Sequence, residues 1–279
     1  MINPWKRIEV NHYTLCHPGV DANAQGARLA HITDIHMGRW VKPRHVEALA
    51  RYVNAHAPDL AVLTGDYVGY NKRDIARCAA SLRLLQAPAF ATLGNHDHWA
   101  SADMCHRAFE QAGIELLANQ ARRVRSPQGH QFWLVGVDDA FTRNHDVEQA
   151  FEPVSGDGFR LVLSHVPELG PELDRKGADL ILSGHTHGLQ FNIPGVAAPL
   201  AARFGMEYIT GAYPMDDGGL LYVSRGLGSA SWPWRYRASP ELAFFTLEHA
   251  SAPELILERR EVTSLEGHRR WRRGRTPVV

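Results

Sequence analysis

The feature that most constrains this chain is a repeated pairing of a short apolar run with a cluster of oxygen or imidazole side chains. Five such clusters occur: Asp34-Ile35-His36, Gly65-Asp66, Gly94-Asn95-His96-Asp97, Ser164-His165 and Gly184-His185-Thr186-His187. Short apolar runs bounded by turn residues have the length of buried strands. Open α/β sheets collect their reaction centres where successive strands end. The pattern therefore predicts strands that deliver ligands to one point, and the ligand types predict a metal site.

At 279 residues the chain is at the upper end for one domain and can bury a substantial core without disulfides. We expect a single domain over 1–279, with a core over about 27–248 and a basic tail over 268–279. The 30 basic and 30 acidic side chains cancel, so no global field draws the protein to nucleic acid or an acidic membrane. Sixteen histidines are the compositional outlier, and His31, His36, His96, His98, His165, His185 and His187 lie in or beside the clusters. Cys16, Cys78 and Cys105 are odd in number and form no C-x-x-C pair, which excludes a disulfide framework or thiolate zinc site and predicts a reducing, cytoplasmic compartment. No apolar stretch has the length of a signal peptide core or a membrane span. The expectation is a soluble protein, at most peripheral at the inner membrane face.

Strands over Ala27 to Thr33, Leu60 to Leu63 and Ala89 to Leu93 alternate with helices, one from Pro43 to Ala57-Pro58 and one over roughly Asp74 to Leu85. Ser101 is placed to cap a third helix, which Gly113 ends. This alternation predicts βα units and a largely parallel sheet. The second half is richer in strands, over Arg122 to Arg125, Phe132 to Val137, Arg160 to Leu163, Leu180 to Ser183, Leu220 to Ser224, Glu241 to Leu247 and Leu255 to Glu258. Two facing sheets around one core fit this better than one doubly wound sheet. Leu189 to Gly219, rich in Gly, Pro and Ala, is too long for an ordinary connection and reads as a functional loop or cap.

Asp34 and His36 stand two apart at a strand end, where a turning backbone aims both at one point. Asp66 follows a glycine that permits a sharp turn, and its two oxygens can bridge cations about 3.5 to 4 Å apart. Asn95 offers a neutral carbonyl oxygen, His165 follows Ser164, and His185 and His187 straddle Thr186. Each cluster alone is more often a solvated turn or a capping residue than a metal site. The ordered set reverses that balance.

That ordered set resembles the calcineurin-like metallophosphoesterase superfamily, over roughly Arg28 to Gly228. Within it, Thr33-Asp34-Ile35-His36, Gly65-Asp66-Tyr67-Val68 and Ser224-Arg225-Gly226-Leu227-Gly228 are similar to bacterial phosphodiesterases of the YaeI and YkuE type, whose relatives include UDP-2,3-diacylglucosamine pyrophosphatases. The resemblance implies an α/β fold, a four-layer α/β/β/α sandwich of two mixed sheets flanked by helices. It implies that Asp34, His36, Asp66 and His187 hold one divalent ion and that Asp66, Asn95, His165 and His185 hold a second, with Asp66 bridging. Mixed nitrogen and oxygen donors without thiolate suit Mn, Fe or Zn. The implied reaction is hydrolysis of a phosphodiester or pyrophosphate bond by a metal-bridging hydroxide, which two cations make available near neutral pH. Adjacency and the same analogy place His96 to donate the leaving-group proton or to stabilise the equatorial charge, with Asp97 holding its imidazole in the needed tautomer. One departure stands out. The related enzymes usually read Gly-His-Thr-His-Gly-Gly-Gln, and this chain has Gly188-Leu189-Gln190 there. Leucine does not take a positive φ cheaply.

Three features bear on substrate and partners: an apolar loop containing Val196 to Leu200 and Phe204, the Trp232-Pro233-Trp234-Arg235-Tyr236-Arg237 segment, and the Arg269 to Arg275 run. Trp beside Arg suits a headgroup interface, so a small-molecule or lipid-linked phosphodiester or pyrophosphate substrate, with peripheral membrane contact through Trp232 to Arg237 and the C-terminal Arg run, uses all three. The alternative is a packed sheet edge and a solvated tail. The neutral charge balance argues against a nuclease, and the complete ligand set argues against a non-catalytic scaffold.

Overall fold

The structure is a computed structural model that describes residues 4–229 and 232–265; the Arg269 to Arg275 run lies outside them. Thirteen strands among the described residues form two sheets. The first holds β1 (Ile8–His17), β2 (Arg28–Ile32), β3 (Leu60–Thr64), β4 (Ala89–Thr92), β5 (Ile114–Leu116), β12 (Glu241–His249) and β13 (Glu254–Thr263), in the order β13-β1-β12-β2-β3-β4-β5. The second holds β6 (Gln120–Arg125), β7 (Gln131–Gly136), β8 (Arg160–Leu163), β9 (Leu180–Ser183), β10 (Gly211–Pro214) and β11 (Leu220–Val223), in the order β10-β11-β9-β8-β7-β6. Strands β2 to β5 are mutually parallel, as are β7, β8, β9 and β11, and antiparallel neighbours make both sheets mixed.

Period-2 alternation divides the apolar side chains between layers. Leu60 and Val62 of β3 meet Leu161, Leu163, Leu180 and Leu182 of the second sheet in one buried cluster. Ala61 and Leu63 face the other way, against helices α1 (Pro43–His56), α2 (Lys72–Leu82) and α3 (Asn95–Ala112). Val162 and Ile181 likewise face α4 (Val147–Phe151) and α5 (Gly170–Arg175). The layers are α/β/β/α, as the resemblance implies. Strand β1 is the main element that the sequence reading passes over. Ile8 and Val10 alternate with polar residues there, and β1 pairs β12 and β13, hundreds of residues away.

The third helix starts earlier than Ser101. It runs from Asn95, with Gly94 at its N-cap, and kinks at Ser101, whose hydroxyl accepts from Met104 N at 3.4 Å. The first segment carries Asn95, His96 and Asp97 toward the strand ends. The cap expected at Ser101 serves the second segment. The long stretch after Leu189 contains a short helix, α6 (Ala197–Arg203), and β10.

Candidate metal centre

Strands β2, β3, β4, β8 and β9 end together, and all seven expected ligands lie just beyond them. The first two exits are hydrogen-bonded to each other, with Asp34 N donating to Gly65 O at 3.0 Å and His36 N to Asp66 O at 2.9 Å. Gly65, at φ 85°, lets the third exit come close: a Cβ there would lie 2.5 Å from Gly94 N and 2.8 Å from His165 Nδ1. Gly226, at φ 64°, brings the Ser224 to Gly228 strap against Asp34, where a Cβ would lie 2.4 Å from Asp34 Cβ. These approaches explain why glycine stands beside so many of the ligands.

The carboxylate of Asp66 lies at the middle of the cluster. Its Oδ2 is 3.4 Å from His36 Nε2 and 3.4 Å from His165 Nε2, while its Oδ1 accepts from His96 N at 2.9 Å. Asp34 Oδ1 is 3.4 Å from His187 Nε2 and 3.8 Å from His36 Nε2. On the other side, His165 Nε2 faces His185 Nδ1 at 3.2 Å. His165 donates from Nδ1 to Thr64 O at 2.6 Å, which leaves Nε2 as the ring nitrogen turned to the cluster. The geometry therefore brings Asp34, His36, Asp66, His165, His185 and His187 together, and sets of three with metal-ligand spacing occur at Asp34, His36 and His187, at Asp34, Asp66 and His165, and at His36, Asp66 and His96.

Several observations fit divalent cations to this donor set. Among the described residues, Asp34 Oδ1 and Asn95 Oδ1 are buried acceptors with no hydrogen bond, which is costly unless something positive meets them. His36 Nε2 and His187 Nε2 face each other at 3.0 Å. Burial alone would raise Asp34 and Asp66, yet the surrounding imidazoles hold both carboxyls well below the usual range. Burial would lower His165, and Asp66 instead raises it to about 10. The cluster is short of positive charge, and protons stand in for it. Burial lowers His187 and takes His185 down to about 4, so both are neutral donors at physiological pH.

The assignment of Asp97 needs correction. It does not orient the His96 ring, whose Nδ1 donates to Gly69 O at 2.7 Å. Instead the Asp97 carboxylate accepts from Asp66 N at 2.7 Å, Tyr67 N at 3.0 Å and Gly94 N at 3.0 Å, clamping two ligand loops together. Burial and the nearby Asp66 raise Asp97 to about 7, against those backbone donors. His96 itself lies at the cluster, its ring 4.7 Å from that of His36, and burial keeps it below its ordinary value, hence neutral. His31 and His98 stay outside the ligand set: His31 Nε2 bonds Thr64 Oγ1 at 2.8 Å, and His98 Nε2 bonds Asp138 Oδ1 at 2.8 Å.

Two groups escape the sequence reading. Arg235, assigned there to a membrane-facing segment, turns its guanidinium inward. It donates to Arg225 O at 2.7 Å, Ala238 O at 3.2 Å, Gly228 O, and His187 Nδ1 at 3.0 Å. Burial lowers it to about 9. No local pattern separates it from Arg237, which is exposed. The pair Asp138-Asp139 follows β7 and obeys the same rule as the five clusters, and Asp139 Oδ1 is buried without a donor. Leu189, for which a positive φ is not cheap, does take the left-handed conformation, at φ 64°.

A strand-end cluster of Asp, Asn and His between two mixed sheets defines a metallo-dependent phosphatase architecture. The chain belongs to the calcineurin-like phosphoesterase family, whose model matches residues 27–189. It is 31% identical over 231 residues to the phosphodiesterase YaeI of Escherichia coli, covering 81% of this chain and 83% of that one. It is 27% identical over 248 residues to the uncharacterized metallophosphoesterase YkuE of Bacillus subtilis, covering 86% of each. A 5'-nucleotidase precursor from Thermus thermophilus superposes with a TM-score of 0.51 at 17% identity over 72% of this chain and 49% of that chain, a likeness of fold. Members of this family are metal-dependent hydrolases. No helix among the described residues is long and apolar enough to cross a membrane.

Proposed function

We propose that this protein hydrolyses a phosphodiester or pyrophosphate bond at a dinuclear centre, with Asp34, His36, Asp66 and His187 around one divalent ion and Asp66, Asn95, His165 and His185 around the other. The observation that carries the reading is Asp66 Oδ2, equidistant at 3.4 Å from a histidine of each group. Divalent ions bound there supply Lewis-acid polarisation of phosphoryl oxygen and acidification of water. The chain supplies the rest. Backbone N–H groups and the Thr33 hydroxyl aim the Asp34 and Asp66 carboxylates. The neutral His96 ring, with its Nδ1–H fixed on Gly69 O, has a bare Nε2 that can accept a proton or a hydrogen bond and can donate only after gaining a proton.

A lipid-bearing substrate, such as a UDP-2,3-diacylglucosamine-type pyrophosphate at a membrane surface, is the second reading. Exposed Phe204 and Trp232, 71% and 61% accessible, favour it. One experiment addresses both. Hydrolysis of bis(p-nitrophenyl) phosphate and of UDP-2,3-diacylglucosamine is measured after EDTA treatment and after return of Mn, Fe or Zn, with Asp66→Asn as the blank. We expect EDTA to abolish aryl diester turnover and metal to restore it, with a loss of about a thousandfold or more in Asp66→Asn. Activity that survives EDTA, or that persists in Asp66→Asn, overturns the dinuclear reading. Turnover of the lipid substrate above the aryl diester selects the second.

A further inference from the structure

Beside His36 the surface opens into a groove of about 660 Å³ that none of the assigned ligands explains. Its walls carry Arg39, Lys42 and Arg77 against a single acid, Asp74. Arg77 is paired with Asp74 at 3.5 Å, which leaves two cations in excess. Lys42 Nζ donates to Gly38 O at 2.9 Å, and the Arg39 guanidinium lies 4.9 Å from the Trp40 ring centroid. Among the described residues neither has a carboxylate within ion-pair distance. Ser229 also lines the groove, and among the described residues its buried hydroxyl has no hydrogen-bond partner. Cations with spare donors and an unsatisfied hydroxyl around one concave space are the groups that recognise phosphate or another compact oxyanion.

The groove is continuous with the reaction centre, since His36 and Gly69 line it and Gly69 O holds the His96 ring. On the opposite flank Phe141 lies 5.3 Å from His185, ring to ring, and meets Trp99 at 5.9 Å. Trp40 and Tyr70 also line the groove, and Tyr70 stacks on Trp99 at 6.2 Å, so an aromatic strip joins the groove to Phe141 while Arg39 and Lys42 stand at the groove end. A symmetric diester makes no use of that difference.

We propose that Arg39 and Lys42, with Ser229, bind a second anionic group on the substrate, a phosphate carried on the arm of the diester or pyrophosphate that lies toward His36. The inference rests on the phosphoesterase reading and adds the substrate's asymmetry to it: the charged arm lies in the groove and the apolar arm against Phe141. The cations hold the distal phosphate by charge-assisted hydrogen bonds, and they act on binding.

The test uses two p-nitrophenyl phosphodiesters that differ only in a remote phosphate on the second alcohol. The metal-loaded protein is expected to favour the phosphorylated ester in kcat/KM by about tenfold, the order of one charge-assisted hydrogen bond. That preference should reside in KM and fall as salt is added. In Arg39→Ala/Lys42→Ala the ratio falls to about one, whereas the same charge change at Arg51 and Arg83, exposed elsewhere, keeps it. No preference in the wild type, or an unchanged ratio in the double variant, overturns the inference. If neither ester is hydrolysed, the phosphoesterase reading fails on its own. The groove is then tested by titrating metal-stripped protein with the phosphorylated alcohol. Binding that Arg39→Ala/Lys42→Ala removes sustains the groove, and absent or unaltered binding ends it.

Discussion

The floor of the site and its rim are built by opposite rules. On the floor, Asp34, His36, Asp66, His185 and His187 all hold left-handed backbone, at φ 53°, 49°, 57°, 69° and 52°. Such conformations cost non-glycine residues about 1–2 kcal/mol each. They persist because neighbouring backbone and carboxylate groups over-determine them. The rim, from Phe191 to Phe204 and at Trp232, Trp234 and Tyr236, shows large apolar side chains to solvent. The difference teaches where function is fixed. The floor accumulates local cost to hold one chemistry, and a single change there should be expensive; the rim is free to vary and to choose substrates.

The largest effect on stability should come from the clamp beneath the floor. Asp97→Ala removes the acceptor shared by the N–H groups of Asp66, Tyr67 and Gly94. Buried donors left without partners cost about 1–3 kcal/mol each, so we expect a loss of ~3 kcal/mol by urea denaturation and at least a hundredfold drop in diester turnover. Asp97→Asn, which keeps the shape and one acceptor, should recover part of both. A fully stable Asp97→Ala protein would mean that the ligand loops do not depend on the clamp, and the contrast between floor and rim would weaken.

Arg235 sits on the boundary, and it sharpens the comparison most. It lies in the aromatic segment of the rim yet serves the floor, through His187 and the strap carbonyls. Arg235→Met keeps the stem and removes the donors. We expect metal affinity, by titration with atomic-emission detection, to fall tenfold to a hundredfold, the usual effect of losing a partner behind a ligand. Flotation with anionic vesicles should not change. The reverse result, intact metal binding with lost flotation, would return Arg235 to a headgroup interface.

The same boundary marks how far the sequence could be read. The seven candidate ligands are legible because each follows an apolar run, so strand order and residue identity are both local signals. Strand β1 is not, since its partners β12 and β13 lie at the far end of the chain. Asp97 was misread because adjacency to His96 says nothing about where a carboxylate points once a helix begins at Asn95. Arg235 was hidden because an inward-turning Arg and a membrane-facing one look alike between Trp and Tyr. The basic groove beside His36 joins the β2 and β3 exits with α2, and Arg39, Lys42 and Arg77 have no common spacing that would reveal it.

Leu189 gives the smallest and most discriminating test. At φ 64° it occupies the turn between His187 and the rim. Leu189→Gly relieves about 1–2 kcal/mol of left-handed strain and adds roughly 0.5–1 kcal/mol of unfolded-chain entropy. The net expectation is a gain of ~0.5 kcal/mol, about 1–2 °C in Tm for a chain of this size, with kcat on an aryl diester unaltered. The turn would then be strained for a reason other than the chemistry at the metals. A shift in KM for the lipid-bearing substrate alone would place that reason in the rim, with Leu189 retained as an apolar contact at the mouth. A fall in kcat on every substrate would instead place Leu189 with the floor, and the boundary would move outward past Gly188.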